Sequence, residues 1–208
     1  FRRVLFRSDR GLREHENRNS CMQVDPSAIL SPLLKFATPL IGGFWLLIYT
    51  LLIYKGFRDR SYGMPLTALC TNISWEFLAA FILPAPCRQF QQASGLWLFA
   101  DLCILATAIL YGAADFRHHL ATRKKLLVIL VLGLLVSGHI QFELIVTLDD
   151  PHGIVVAQIN NFLLSALLIV MACRRWSLQG QSLVIAAALL AVNLLCWFAY
   201  ERGGCLEL

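Results

Sequence analysis

The chain has 208 residues, 58% of them hydrophobic and 15% charged, with a net charge of +5 and a mean hydropathy of +0.64. An average soluble domain carries roughly 25% charged residues, so this composition excludes an ordinary water-soluble enzyme and implies a protein that passes several times through a bilayer. The positive charge lies in an N-terminal tail and in alternate loops rather than along one stripe, and it indicates no nucleic-acid partner.

Residues 1–21 form a basic, non-periodic extension, Phe1-Arg-Arg-Val-Leu-Phe-Arg-Ser-Asp-Arg10 continuing through Arg13 and Arg18, without an initiator Met. It is too polar for the apolar core of a signal peptide. Two readings stand: a non-native leader with the true start near Met22, or a solvated basic tail that touches anionic lipid. Residues 22–208 are then the transmembrane domain.

Six apolar runs follow, near 38–54, 65–84, 96–114, 126–146, 153–173 and 183–200. Each approaches the about 20 helical residues that a bilayer core requires. A β-barrel would alternate apolar and polar residues over segments of roughly 10. Leu126-Leu-Val-Ile-Leu-Val-Leu-Gly-Leu-Leu-Val136 does not alternate, so the predicted fold is an all-α, polytopic bundle of six helices. The connections are short and carry breakers, such as Pro84-Ala-Pro86 and Asp149-Asp-Pro-His-Gly153, which leaves no room for a separate soluble domain. Cations gather in the loops after the first, third and fifth runs: Lys55, Arg58 and Arg60; Arg117 and Arg123 to Lys125; Arg174 and Arg175. Those loops should face the cytoplasm, with the N-terminus outside.

The second run places Asn72 and Glu76 four residues apart on one helical face, with Trp75 and Phe77 flanking the carboxyl. An ionisable group at membrane depth is costly and marks function by default. Hydrocarbon disfavours its charged form, so Glu76 is expected to be a neutral acid able to donate a proton; the bland reading is a carboxyl that only bridges helices. The third run carries Asp101, four residues after Trp97. The fourth carries His139 and Glu143 on one face, where they could pair. In the fifth, Gln158, Asn161 and Ser165 share a face, a pattern that commonly joins transmembrane helices. Phe44, Trp45, Tyr49, Tyr62, Trp75, Phe77, Phe81, Trp97 and Tyr111 supply interfacial belts or, if turned inward, π-faces for a cation. The 7 cysteines show no Cys-x-x-Cys pairing, and no Walker loop, His-Glu-x-x-His or Gly-x-Ser-x-Gly occurs, so no metal site or cofactor is expected.

Ordered segments then carry a resemblance: Arg58-Asp-Arg-Ser-Tyr-Gly-Met-Pro65, Asn72-Ile-Ser-Trp-Glu-Phe77, Trp97-Leu-Phe-Ala-Asp101 with Tyr111-Gly112, Gln158-Ile-Asn-Asn-Phe-Leu-Leu-Ser165, and Arg175 with Gly180-Gln-Ser-Leu-Val-Ile-Ala186. In these the chain resembles the PaxB-like integral membrane terpene cyclases of meroterpenoid and indole-terpenoid biosynthesis. The resemblance implies a seven-helix bundle that binds a lipophilic prenylated substrate, often with a terminal epoxide, in which an acidic side chain protonates the epoxide or an olefin and the polyprenyl chain then cyclises. Glu76 matches the family's proposed acid and Asp101 an acidic position of supporting role. Asn72, Trp75, Phe77, Trp97, Gln158 and Asn161 are the substrate-binding candidates. The family's last helix, with a second essential Asp, has no counterpart before Leu208; the expectation is a fragment, or a substitute such as Glu201. A different class of function, a small proton-coupled transporter using Glu76, Asp101 and Glu143 as relay groups, would call for internal repeats, and Asn-x-x-Trp-Glu has no partner in the fifth run.

Overall fold

The computed structural model describes residues 26–84, 88–115 and 123–203. It contains six helices: α1 Pro26–Arg58, α2 Leu66–Phe81, α3 Arg88–Asp115, α4 Arg123–Thr147, α5 Ile154–Arg175 and α6 Leu183–Gly203. The chain divides into two compact units, Phe1–Leu34 and Lys35–Leu208. The second contains everything below. The 1–21 extension and the side chain of Glu201 lie outside the described residues.

Every expected run is a helix, and the chief differences are at the starts. Helix α1 begins at Pro26 rather than near 38, and α3 begins at Arg88 rather than near 96. The turns added to α3 are polar, Gln89, Gln91 and Gln92 among them. Hydropathy marks where a helix is greasy, whereas backbone hydrogen bonding continues through residues with good helix propensity. Among the described residues, four stretches are long and apolar enough to cross a membrane: Pro39–Arg58, Arg88–Ala113, Arg123–Thr147 and Ile154–Arg175. The protein is an integral, multi-pass membrane protein.

Helices α2 and α6 are shorter apolar helices, and α2 organises the rest. Its 16 residues rise about 24 Å, short of the roughly 30 Å hydrocarbon core. It tolerates this because its neighbours cover it: α3, α4 and α5 pack against it, and α1 reaches it through side chains. Eleven of its residues are buried, Asn72, Ser74 and Glu76 among them. Polar groups can sit at this depth because they meet protein rather than lipid.

Small residues allow the close approaches. On α1, Gly56 leaves room for the Thr107 methyl of α3, which would stand 3.0 Å from a Cβ there. On α4, Gly133 faces the Cys70 sulfur, 2.9 Å from where a Cβ would be. The main core gathers Ile48 and Leu52 of α1, Leu69 of α2, Ile104 of α3, Leu164 of α5 and Val192 of α6.

At one end of the bundle the α1–α2 loop lies directly on the α5–α6 loop. Gly180 N–H donates to Asp59 Oδ2 (3.1 Å), Gln181 Nε2 to the Gly63 carbonyl (3.3 Å), and the Arg175 guanidinium to the Tyr62 carbonyl (2.9 Å). Arg175 also lies over the Tyr62 ring, 4.3 Å from its centroid. The Gly180 N–H, then Lys55 at 3.1 Å and Arg58 at 3.4 Å, hold the Asp59 carboxyl below its ordinary pKa. At the other end, His152 Nδ1 meets the Pro84 carbonyl at 2.7 Å. There Asp150 caps α5, its two oxygens accepting from Ile154 N–H (2.9 Å) and Val156 N–H (3.1 Å). Loops one and five therefore share one end and loops two and four the other, as the distribution of cations requires.

Candidate active site

The site begins with spacing. Asn72 and Glu76 lie one turn apart on α2, both buried, with Glu76 only 4% exposed. From α1 comes Tyr49, 2% exposed, and from α3 comes Asp101, with no exposed surface at all. These side chains converge. Asn72 Nδ2 donates to the Tyr49 hydroxyl oxygen at 2.6 Å and to Asp101 Oδ2 at 2.8 Å. The Glu76 and Asp101 carboxyls lie within electrostatic range of each other and of the phenol. Each acid also keeps one buried oxygen, Glu76 Oε2 and Asp101 Oδ1, without a hydrogen-bond partner. Buried polar atoms are almost always paired, so two orphaned carboxyl oxygens in one cluster indicate groups held ready for something else.

Aromatic rings border the cluster. Trp45, one turn before Tyr49 on α1, stands 5.8 Å from its ring, tilted by 35°. Trp97, one turn before Asp101 on α3, is half-buried and packs at the edge of the same core. Of the sequence candidates, Asn72 is bonded to Asp101, and Trp97 stands one helical turn before it on α3.

The others sit elsewhere. Trp75, next to Glu76 in sequence, turns towards α5: its Nε1–H donates to the Gly153 carbonyl at 2.9 Å, and its ring meets Phe90 edge-on at 6.1 Å. Phe77 is 50% exposed on the outer face of α2, 5.3 Å from Phe81. Gln158 faces the Cys196 thiol of α6. The Asn161 carbonyl accepts from Ser165 Oγ at 2.8 Å, and Ser165 in turn accepts from Asn193 Nδ2 of α6 at 2.9 Å. Among the described residues no hydrogen bond joins Gln158 or Asn161 to the acids; they lie along the α5–α6 seam. His139 and Glu143 do not pair across helices as expected: both are exposed on α4.

The buried polar face of α4 is instead Ser137 and Gln141. Ser137 lies 2.8 Å from Ser74 and donates to the Cys70 carbonyl at 3.1 Å. Gln141 donates to the Thr71 carbonyl at 2.9 Å and accepts from Asn160 at 3.0 Å. Sequence reasoning passed over both residues and the part played by Tyr49. The signal for Gln141 was available, since Gly133, Ser137 and Gln141 repeat every four residues on one face. No third His, Cys, Asp or Glu joins the acid pair among the described residues.

A family model described as Pyr4-like transmembrane terpene cyclases matches residues 25–188. Among curated relatives, the chain is 38% identical over 74 residues to the Pyr4-family terpene cyclase mfmH of Annulohypoxylon moriforme, covering 36% of this chain and 30% of that protein. It is 31% identical over 74 residues to the terpene cyclase pyr4 of Aspergillus fumigatus, covering 36% and 31%. With the terpene cyclase spyD of the same organism it shares 28% identity over 125 residues, 59% of this chain and 52% of that one. The chain thus spans about half or less of the length of these relatives. No solved structure matches it.

Proposed function

The chain belongs to the Pyr4-like transmembrane terpene cyclases, and from that premise we propose that it serves a metal-independent, proton-initiated cyclisation of a prenylated substrate drawn from the membrane. The observation that carries the reading is the buried pair Glu76 and Asp101, each with an unpartnered oxygen, beside the rings of Trp45, Tyr49 and Trp97.

Glu76 is the acid. Its proton goes to the oxygen of a terminal epoxide; the C–O bond breaks as the π electrons of the neighbouring alkene form a carbon–carbon bond. The positive charge passes along the polyprenyl chain as successive rings close. The last cation loses a proton to the Asp101 carboxylate, and a proton moving back to Glu76 resets the pair. Every atom of the substrate is retained, so the product is an isomer. A dry helical interior keeps water from capturing the cations, and the fixed aromatic faces and dipoles stabilise them. Trp97 and Asn72 contribute to substrate contact; Trp75, Phe77, Gln158 and Asn161 do so only through the positions of their helices.

Membranes bearing the protein should convert an epoxyfarnesyl-substituted aromatic probe into a product of equal mass. Glu76→Gln, which keeps the shape and removes the acidic proton, should lower the rate by about 10²–10⁴-fold, the usual weight of a general acid. Normal cyclisation by that variant would remove Glu76 from the chemistry.

A further inference from the structure

Ser94 of α3 is a buried polar residue that the acid chemistry leaves unused. A serine or threonine within a helix ordinarily turns its hydroxyl to a nearby carbonyl. The other buried helical hydroxyls do bond to one: Ser74 to Leu134 (3.1 Å), Thr107 to Ile104 (2.7 Å) and Ser137 to Cys70 (3.1 Å). Ser94 has no exposed surface, and its Oγ has no partner. Leaving a buried hydroxyl unpaired costs stability, so its place calls for a reason.

Neighbouring contacts fix where Ser94 stands. Asn72 Nδ2 bonds both Tyr49 of α1 (2.6 Å) and Asp101 of α3 (2.8 Å), and about two turns further along the same two helices a Cβ on Gly56 would stand 3.0 Å from the Thr107 methyl. Helices α1 and α3 therefore run in one direction with matched levels. Two turns the other way come Gly42 on α1 and Ser94 on α3, about 10 Å from the level of Asp101. Helix α2 runs against them, since Gln91 near the start of α3 donates to the Ala80 carbonyl (3.0 Å) whereas Asp101 meets Asn72. Glu76, midway between Asn72 and Ala80, is hence level with the stretch of α3 between Ser94 and Asp101. Trp45 stands between Gly42 and Tyr49 on one face of α1, and Trp97 between Ser94 and Asp101 on α3. Gly42 is half-buried, yet a Cβ on it would meet nothing within 4 Å among the described residues, unlike one on Gly56. The helices touch at the Gly56 end and leave room at the Gly42 end.

We propose that the Ser94 hydroxyl and the space beside Gly42 form a second subsite, which takes the oxygen-bearing aromatic head of the substrate. The proposal rests on the reading of the acid cluster as the cyclase's centre. An isoprenoid chain is hydrocarbon apart from its epoxide, and the acids take the epoxide. A hydroxyl about two turns away can then serve only the other end of the molecule, and Ser94 can either donate to a ring carbonyl or accept from a ring hydroxyl. The chain between lies along Trp45 and Trp97. Ser94 is thus a specificity-determining residue, and Gly42 is small because a planar ring needs the room that a side chain would fill.

Three epoxyfarnesyl probes test this, with a phenol, a benzene or a methyl ether as the head. The parent protein should show a KM for the phenol about 2–10-fold below that for the benzene, the weight of one hydrogen bond. Ser94→Ala should bring the two values together with little change in kcat, and it should unfold no earlier than the parent because it removes an unpaired group. Gly42→Leu should lower kcat/KM for both aromatic probes about tenfold or more relative to the methyl ether, as overpacking does. Gly43→Leu, on the exposed neighbouring position, should keep the parent's ratios.

Equal effects of Ser94→Ala on phenol and benzene overturn the proposal, and so does a Gly42→Leu protein that treats all three heads alike. Binding is read separately in lipid nanodiscs, from the rise in unfolding temperature caused by farnesyl phenol and farnesyl benzene, which lack the epoxide. A preference for the phenol that Ser94→Ala abolishes keeps the subsite even if no probe cyclises, and only the cyclase reading then falls. Cyclisation without that preference removes the subsite and leaves the cyclase reading intact.

Discussion

Trp75 and Glu76 are adjacent in sequence, yet a step of one residue turns about 100° around a helix, and the two have different surroundings. Glu76 is buried within electrostatic range of Asp101 and Tyr49; Trp75 looks towards α5 and donates to Gly153, a residue at φ 70°. That left-handed conformation opens α5, and a Cβ on Gly153 would stand 2.9 Å from Leu83. Trp75→Phe keeps the ring packing and loses the donor, so it should destabilise the protein by about 1 kcal/mol, read by thermal unfolding in detergent. The spacing of Asn72 and Glu76 already put both on one face, and that part of the site was legible. The arrival of Tyr49 was not, because which residues meet across helices depends on crossing angle and depth, and neither is written in the spacing of one segment. For the same reason Trp75 and Phe77, both next to the acid in sequence, point away from it in space.

Between elements, the clasp joining the α1–α2 and α5–α6 loops is the feature least visible beforehand, although both of its halves stood out as sequence motifs. Arg58 to Pro65 and Arg175 to Ala186 read as separate segments; the structure makes them one contact through backbone atoms. Gly63 and Gly180 are there because the chains touch: a Cβ on Gly63 would collide with the Gly180 carbonyl oxygen, and Gly180 holds φ 74°. Gly63→Ala should therefore cost about 1–3 kcal/mol, the usual range for overpacking, and lower the unfolding temperature more than Gly95→Ala, whose Cβ would meet open space. The clasp also carries a sign with pH. Asp59 is more acidic in the folded protein than in an unfolded chain, so it stabilises at any pH above the ordinary aspartate value of about 3.9. That contribution is lost as pH falls below it. Asp59→Asn should flatten the stability profile in that acid window and leave it parallel to the parent above pH 5, roughly one unit clear of the transition.

Among the described residues, apolar side chains both fill the core and cover much of the outside, so the polar residues that matter are the few turned inward. Leu135, Val136 and Val146 of α4 are more than half exposed, while Ser137 and Gln141 of the same helix are buried. Composition identified a membrane protein, and the length and lack of alternation of its apolar runs identified a helical bundle. It could not rank the polar residues within a run, since hydropathy treats an inward and an outward glutamate alike. His139 and Glu143 looked the more functional pair on α4 because they ionise; the structure turns them outward and puts an uncharged amide between the helices. Gln141 satisfies the Thr71 carbonyl and the Asn160 amide at once. Gln141→Leu should thus cost about 1–3 kcal/mol by stranding buried groups and loosen α2 where it is held against α4 and α5. Reconstituted in bilayers, His139→Leu and Glu143→Leu should be neutral or mildly stabilising, because an outward-facing polar group at membrane depth gains nothing from apolar surroundings. Thermal unfolding of the three variants side by side checks the order. If Glu143→Leu proved the most damaging of them, α4 would have to present its other face to α2, and the packing that encloses the acid pair would be wrong along with it.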